Sequence, residues 1–208
     1  MFGLGEVNSL GDYVTVSFVH ALGLTRAGAM RALAEHVSVS KPDLLALSEI
    51  DGGDALALAT RFDLQWAYRG GQALLWNGRF TAADVYDSYL PGAPLQAFER
   101  RGLIRVDGKG DGKDLSLVAS RFATDRSRAR DLRFTRGVLR SVPVPRMLLF
   151  ITNPPAQSDA FRDLGFTVSE SNVARDVMLA TRGCRVQSCV IIDGADGIGT
   201  QLVAGVTV

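Results

Sequence analysis

A layered α/β domain with mixed sheet pairing is what these 208 residues predict, on three observations. Strand-like and helix-like patterns alternate along the chain. Connections between them are short, and paired glycines mark hairpins, which favours mixed over purely parallel pairing. Hydrophobic residues make up 47% of a length that suits one domain, expected over residues 1–208.

The elements follow in order. Residues 12–22, "DYVTVSFVHAL", are rich in β-branched and aromatic side chains and read as a strand. Residues 26–37 set Ala27, Met30, Leu33, Ala34 and Val37 on one helical face. Residues 43–50, "DLLALSEI", form a buried strand that delivers Glu49 and then Asp51 to a glycine break. A helix over 53–62 precedes two strands, 64–69 and 71–77, joined through Gly70 and Gly71. The ambiguous stretch 80–90 is read as a strand around 84–89. Strands at 100–108 and 114–122 flank a turn-like "DGKGDGKD". A helix over about 125–141, a strand at 146–152 and a short helix "DAFRDLG", stopped by Gly165, come next. Strands at 177–181, 184–193 and 201–208 complete the chain, with "GADGIG" (194–199) read as a turn.

Composition excludes several classes. A net charge of +1 argues against a globally electrostatic nucleic-acid binder, so such binding needs a local patch. No apolar run approaches the roughly 20 residues that span a bilayer, so no membrane association is expected. The N-terminus lacks a basic region and a long apolar core and does not read as a secretory signal. Cys184 and Cys189 fit neither a disulfide framework nor a zinc site; buried, reduced thiols in a cytoplasmic protein are expected.

The order of segments then becomes informative. "PDLLALSEI" resembles the "PDIL-x-LQE" strand of the endonuclease/exonuclease/phosphatase superfamily. "GGQALLWNGRF" is similar to that family's "GNAILSRYPI" hairpin, and "LPGAPLQAFERRGLIRV" to its "LPG…PRGALRV" segment. "LSLVASRF", an Arg-rich helix and "MLLFITN" resemble "V-x-N-T-H-L…V-I-L-x-G-D-F-N". "FRDLGFT…GCRVQSCVIID" resembles "F-x-x-LGF…R-I-D-Y-I", and the likeness covers roughly residues 12–193. It implies a four-layer α/β/β/α sandwich of two mostly antiparallel mixed sheets flanked by helices. It also implies divalent-metal hydrolysis of phosphoesters, with Mg²⁺ or Mn²⁺ as the cofactor.

Residue by residue, most of the implied site is replaced. The metal-binding glutamate corresponds to Glu49, and the Asn of "GDFN" to Asn153. The first-strand Asn corresponds to Phe18, the "THL" histidine to Arg121, the "GDFN" Asp to Ile151 and the "RIDY" Asp to Gln187. "GVTV" ends the chain without the closing "SDH", and both histidines, His20 and His36, precede residue 40 and match no family position. Two of the seven expected groups remain. The residues alone identify no cofactor. The expectation is a catalytically degenerate member that uses the remnant cleft to bind an anionic ligand or a protein partner. Phe18 and Ile151 are then expected to fill the pocket beside Glu49.

Alternatives stay open. Glu49 reads either as a residual metal ligand or as a hydrogen-bonded acid at a strand end, with Asp51 and Asp12 as further acids. An altered phosphoesterase site built on Glu49 and Asn153 is the second reading. Arg126, Arg130 and Arg133, spaced i, i+4, i+7, give a third: with Arg121, an anion- or nucleic-acid-binding stripe rather than a solvated helix face. His20, on an apolar strand, reads as a core histidine.

Overall fold

The structure is a computed structural model that describes residues 13–21, 28–91, 101–155, 160–168, 173, 176–192 and 198–208. The described elements are β1 (Val14–His20), α1 (Ala29–Ser40), β2 (Leu44–Ser48), α2 (Gly52–Phe62), β3 (Gln65–Arg69), β4 (Gln72–Trp76) and β5 (Phe80–Tyr89). They continue with β6 (Gly102–Gly110), β7 (Lys113–Arg121), α3 (Arg128–Ser141), β8 (Met147–Thr152), β9 (Val177–Arg182), β10 (Arg185–Ile192) and β11 (Gln201–Thr207).

Two sheets face each other. One has the order β10-β11-β1-β2-β4-β3, the other β5-β6-β7-β8-β9. Each holds one parallel pair: β1 with β2, joined through α1, and β7 with β8, joined through α3. A parallel pair needs such a crossover, and the helix it supplies covers the sheet's outer face. Leu33, Val37, Leu58 and Ala59 of α1 and α2 bury against Val19, Leu45 and Leu47 of the first sheet. Leu139 of α3 buries against Val118, Leu149 and Ile151 of the second. The result is the four-layer α/β/β/α sandwich that the family resemblance implies.

Between the sheets lies a third core, centred on Phe18 and Phe150, whose rings meet edge to face at 5.6 Å and 70°. The two sheets also touch through backbone. The Gly102 N–H donates to Gly70 O at 3.1 Å, beside the hairpin turn of Gly70 and Gly71. Both turn residues have positive φ, 50° and 76°, as a two-residue hairpin of this hand requires. The β6–β7 turn repeats the device with Asp111 and Gly112, at φ 50° and 76°.

Some elements differ from the sequence reading. β5 runs the full length Phe80–Tyr89; it is a mostly exposed edge strand, so its residues lack clean alternation. α3 begins at Arg128, because Asp125 Oδ1 accepts from Ser127 N at 2.8 Å and holds residues 125–127 in a turn. Arg126 therefore precedes the helix instead of joining Arg130 and Arg133 on it. The "DAFRDLG" helix is a single 3₁₀ turn, Arg162–Leu164, ended by Gly165 at φ 78° as its stop signal implies. No helix among the described residues is long and apolar enough to cross a membrane.

A Cβ at Gly102 would stand 2.0 Å from Arg69 O, a backbone atom that cannot move aside. Gly102→Ala is expected to destabilise the protein by about 2–3 kcal/mol in chemical denaturation. A loss below about 0.5 kcal/mol, within the range of neutral surface changes, would mean that the sheet contact is not tight.

Candidate functional site

The parallel pair in each sheet delivers residues to the same end of the sandwich. In the first sheet, His20 ends β1 in register with Ser48, and Glu49 follows β2 directly. In the second, Arg121 ends β7 in register with Thr152, and Asn153 follows β8. Crossover topology brings all four strands' carboxyl ends together, the usual position for a binding crevice in α/β sheets.

Glu49 bridges the sheets. Its Oε1 lies 2.5 Å from Arg121 Nη2, and its Oε2 lies 3.3 Å from His20 Nε2. The second contact is within ion-pair reach but off hydrogen-bond alignment. The His20 contact is the largest influence holding the Glu49 carboxyl below its ordinary range; Arg121 lowers it further, and burial opposes both. His20 is buried, as a core histidine would be, yet its ring faces the carboxylate instead of apolar neighbours alone. Glu49 also adopts φ 58°, a left-handed conformation uncommon for a residue with a Cβ and costing about 1–2 kcal/mol. The flanking backbone fixes it: Ala21 N donates to Ser48 O at 2.7 Å, and Ile50 N to Gly71 O at 3.3 Å.

Asn153 is left-handed too, at φ 54°. Its Nδ2 donates to Phe122 O at 3.2 Å and its N–H to Asp176 O at 2.9 Å. Its amide therefore ties the end of β7 to β8. The segment after Arg121 is further held by Asp131, whose Oδ2 accepts from Ala123 N at 2.9 Å and from Arg101 Nε at 3.0 Å.

A polar layer lies directly above the Phe18–Phe150 pair. His20, Ser48 and Gln72 stand in register across β1, β2 and β4, and Arg121 and Thr152 across β7 and β8. Gln72 Nε2 donates to Ser48 Oγ at 2.9 Å. His20 Nδ1, Gln72 Oε1, Arg121 Nε and Thr152 Oγ1 are buried without a hydrogen-bond partner among the described residues. Native interiors rarely leave such groups unpaired unless water or a ligand meets them.

Two expectations are corrected. Phe18 lies in the inter-sheet core, but Ile151 points the other way, into the α3-side core with Met178, so the two do not share a pocket. Adjacent residues on a strand alternate faces, and Phe150, not Ile151, is the one that meets Phe18. Gln187 does not stand opposite Glu49. It sits at a register break in edge strand β10 and donates to Thr207 Oγ1 at 2.9 Å, whereas the Glu49 end of that sheet is the Ile192–Gln201 end. The chain crosses between sheets after β9, so β9 and not β10 returns along β8. The acid it delivers beside Asn153 is Asp176, which the sequence reading missed; an acid opening the apolar run "VMLAT" was the available signal. The segment entering β11 beside His20 is Gly199-Thr200-Gln201, which carries neither an acid nor a histidine.

The donor set does not fit Mg²⁺ or Mn²⁺. Such ions need several oxygen ligands, usually including one or two carboxylates. Both Glu49 oxygens already face Arg121 and His20, and no group of three His, Cys, Asp or Glu able to hold a metal occurs among the described residues. Asp51 caps α2, accepting from Asp54 N at 2.9 Å, and Asp12 lies outside the described residues.

Elsewhere, Arg126, Arg130 and Arg133 are exposed and make no ion pair among the described residues. Their neighbours Arg136 and Arg140 both engage Asp163, and Arg128 Nε donates to Ala123 O at 2.8 Å. Cys184 and Cys189 are free, partly buried thiols, each pushed up to about 11 by burial.

No family model matches the chain, and no curated protein matches it in sequence. Solved structures do match. TDP2 from D. rerio, solved with a single-strand DNA product, superposes with TM-score 0.75 over 95% of this chain and 100% of that one, at 12% identity. The endonuclease/exonuclease/phosphatase from Bacteroides vulgatus gives 0.72 over 94% and 99%, at 11% identity. A truncated TDP2 from Caenorhabditis elegans gives 0.70 over 94% and 98%, at 14% identity. The chain has the endonuclease/exonuclease/phosphatase fold.

The depressed Glu49 carboxyl contributes stability that is present above the unfolded carboxylate range and lost as pH falls through its folded value. Denaturation midpoints are therefore expected to fall below about pH 4.5, and Glu49→Gln to remove part of that slope while costing about 1 kcal/mol at pH 7. An unchanged pH profile in Glu49→Gln would contradict the pairing.

Proposed function

We propose that this protein is a non-hydrolytic binding protein that uses the cleft of an endonuclease/exonuclease/phosphatase fold. The observation that carries the reading is the engagement of both Glu49 oxygens by groups of the chain itself, Arg121 and His20. In-line phosphoester hydrolysis needs water activated near neutral pH and charge neutralised on the phosphoryl oxygens. Arg121 can neutralise charge, but a guanidinium does not shuttle protons at neutral pH. Ile151 offers the cleft no polar atom, and Asn153 spends its amide on Phe122. The unpaired His20, Gln72, Arg121 and Thr152 atoms support retention of a polar ligand in the cleft.

A panel of nitrophenyl phosphates, plasmid DNA and inositol phosphates, each with Mn²⁺, tests the reading. No turnover above the uncatalysed rate is expected. Turnover that Glu49→Ala abolishes would establish the competing reading, a metal-dependent phosphoesterase built on Glu49, Asn153 and Asp176.

The exposed Arg126, Arg130 and Arg133, without an ion pair among the described residues, favour a second reading, an anion-binding surface formed by α3 and the turn before it. The likeness to a protein solved with a single-strand DNA product supports a nucleic-acid strand as the anion. Binding of a labelled oligonucleotide is expected to weaken steeply with salt, and charge reversal at all three positions to reduce the salt slope by about 2–3. Salt-independent binding would remove this reading.

A further inference from the structure

We infer that Arg121 is a resident cation that substitutes for the divalent metal at Glu49 and keeps metal out. The inference rests on the non-hydrolytic reading above and deepens it. Arg121 Nη2 lies 2.5 Å from Glu49 Oε1, a direct ion-pair contact. A guanidinium is a planar cation whose donors match a carboxylate. The pair is partly shielded, with side chains 25% and 23% exposed, so neighbouring salt screens it only in part.

Arg121 is not a mobile surface side chain that happens to reach an acid. Its backbone closes the β7–β8 ladder opposite Thr152, and Phe122 N donates to Thr152 O at 3.0 Å. The following turn is pinned by Asp131 through Ala123 N at 2.9 Å and Arg101 at 3.0 Å. The guanidinium therefore crosses from one sheet to a carboxylate fixed on the other. A divalent ion at Glu49 would sit against this fixed charge. Like charges held against one carboxylate disfavour binding. His20 Nε2, at 3.3 Å from Oε2, is the second donor a metal would find once the guanidinium were gone.

The test is Mn²⁺ binding by the full chain, read by titration calorimetry and by the electron paramagnetic resonance of free Mn²⁺. Wild type and Arg121→Lys, which both keep a cation, are expected to bind weakly. Arg121→Gln and Arg121→Ala are expected to bind at least about tenfold more tightly, because one repelling charge is removed. Adding Glu49→Gln should abolish the gain. Circular dichroism establishes that each variant is folded. The inference is overturned if wild type binds Mn²⁺ tightly and loses it on Glu49→Gln alone, or if folded Arg121→Gln gains nothing. Turnover measured on the same wild-type sample reports separately on the non-hydrolytic reading: hydrolysis would remove that reading, whereas Mn²⁺ affinity reports on Arg121.

Discussion

Face-to-face burial of two sheets is the constraint from which the rest of this structure follows. The inter-sheet core runs from Val14 and Val208 at one end to the Phe18–Phe150 contact near the other. Apolar packing stops there, and the next layer of inward positions is polar: His20, Ser48 and Gln72 facing Arg121 and Thr152. A sandwich cannot end on apolar side chains where its strands open to solvent. Placing polar groups at the rim is therefore a requirement of the fold before it is a site. What turns rim into site is the crossover geometry, which sends the carboxyl ends of β1, β2, β7 and β8 to that same rim.

Glu49 is the hinge between those two demands. It leaves β2 in a left-handed conformation, a local cost that persists only where surrounding contacts over-determine it. Its carboxylate is held on one side by the other sheet and on the other by its own. The pair with Arg121 is more than a surface ion pair, because both partners are anchored by strand ends and need lose little side-chain freedom to meet. It is also less than a deeply buried one, whose desolvation opposes most of the attraction. Intermediate exposure is where such a bridge contributes most reliably.

Much of this was legible in the residues. Short apolar runs rich in β-branched residues and paired glycines mark the strands and the Gly70–Gly71 turn, since those signals are local. Glu49 stands out locally at a strand end before a glycine break, whereas Phe18 is singled out by the family resemblance. What was not legible depended on which strands pair. Gln187 and Asp176 exchange roles because the chain changes sheets between β9 and β10, and no local pattern records that crossing. Ile151 was placed on the wrong face by one residue of register, the smallest error a strand permits and the one that inverts every side chain. His20 resembled a core residue because it is one; only the three-dimensional position of Glu49 gives its ring a second role.

The two thiols have a practical consequence for anyone attaching a probe. Cys184 and Cys189, each held near 11, expose a thiolate in only roughly one molecule in ten thousand at neutral pH. Alkylating reagents attack the thiolate, so both native cysteines are slow targets. A cysteine introduced on the open face of α3 would react far ahead of them. Site-selective spin or fluorophore labelling is therefore available in the natural background, without first removing either native sulfur.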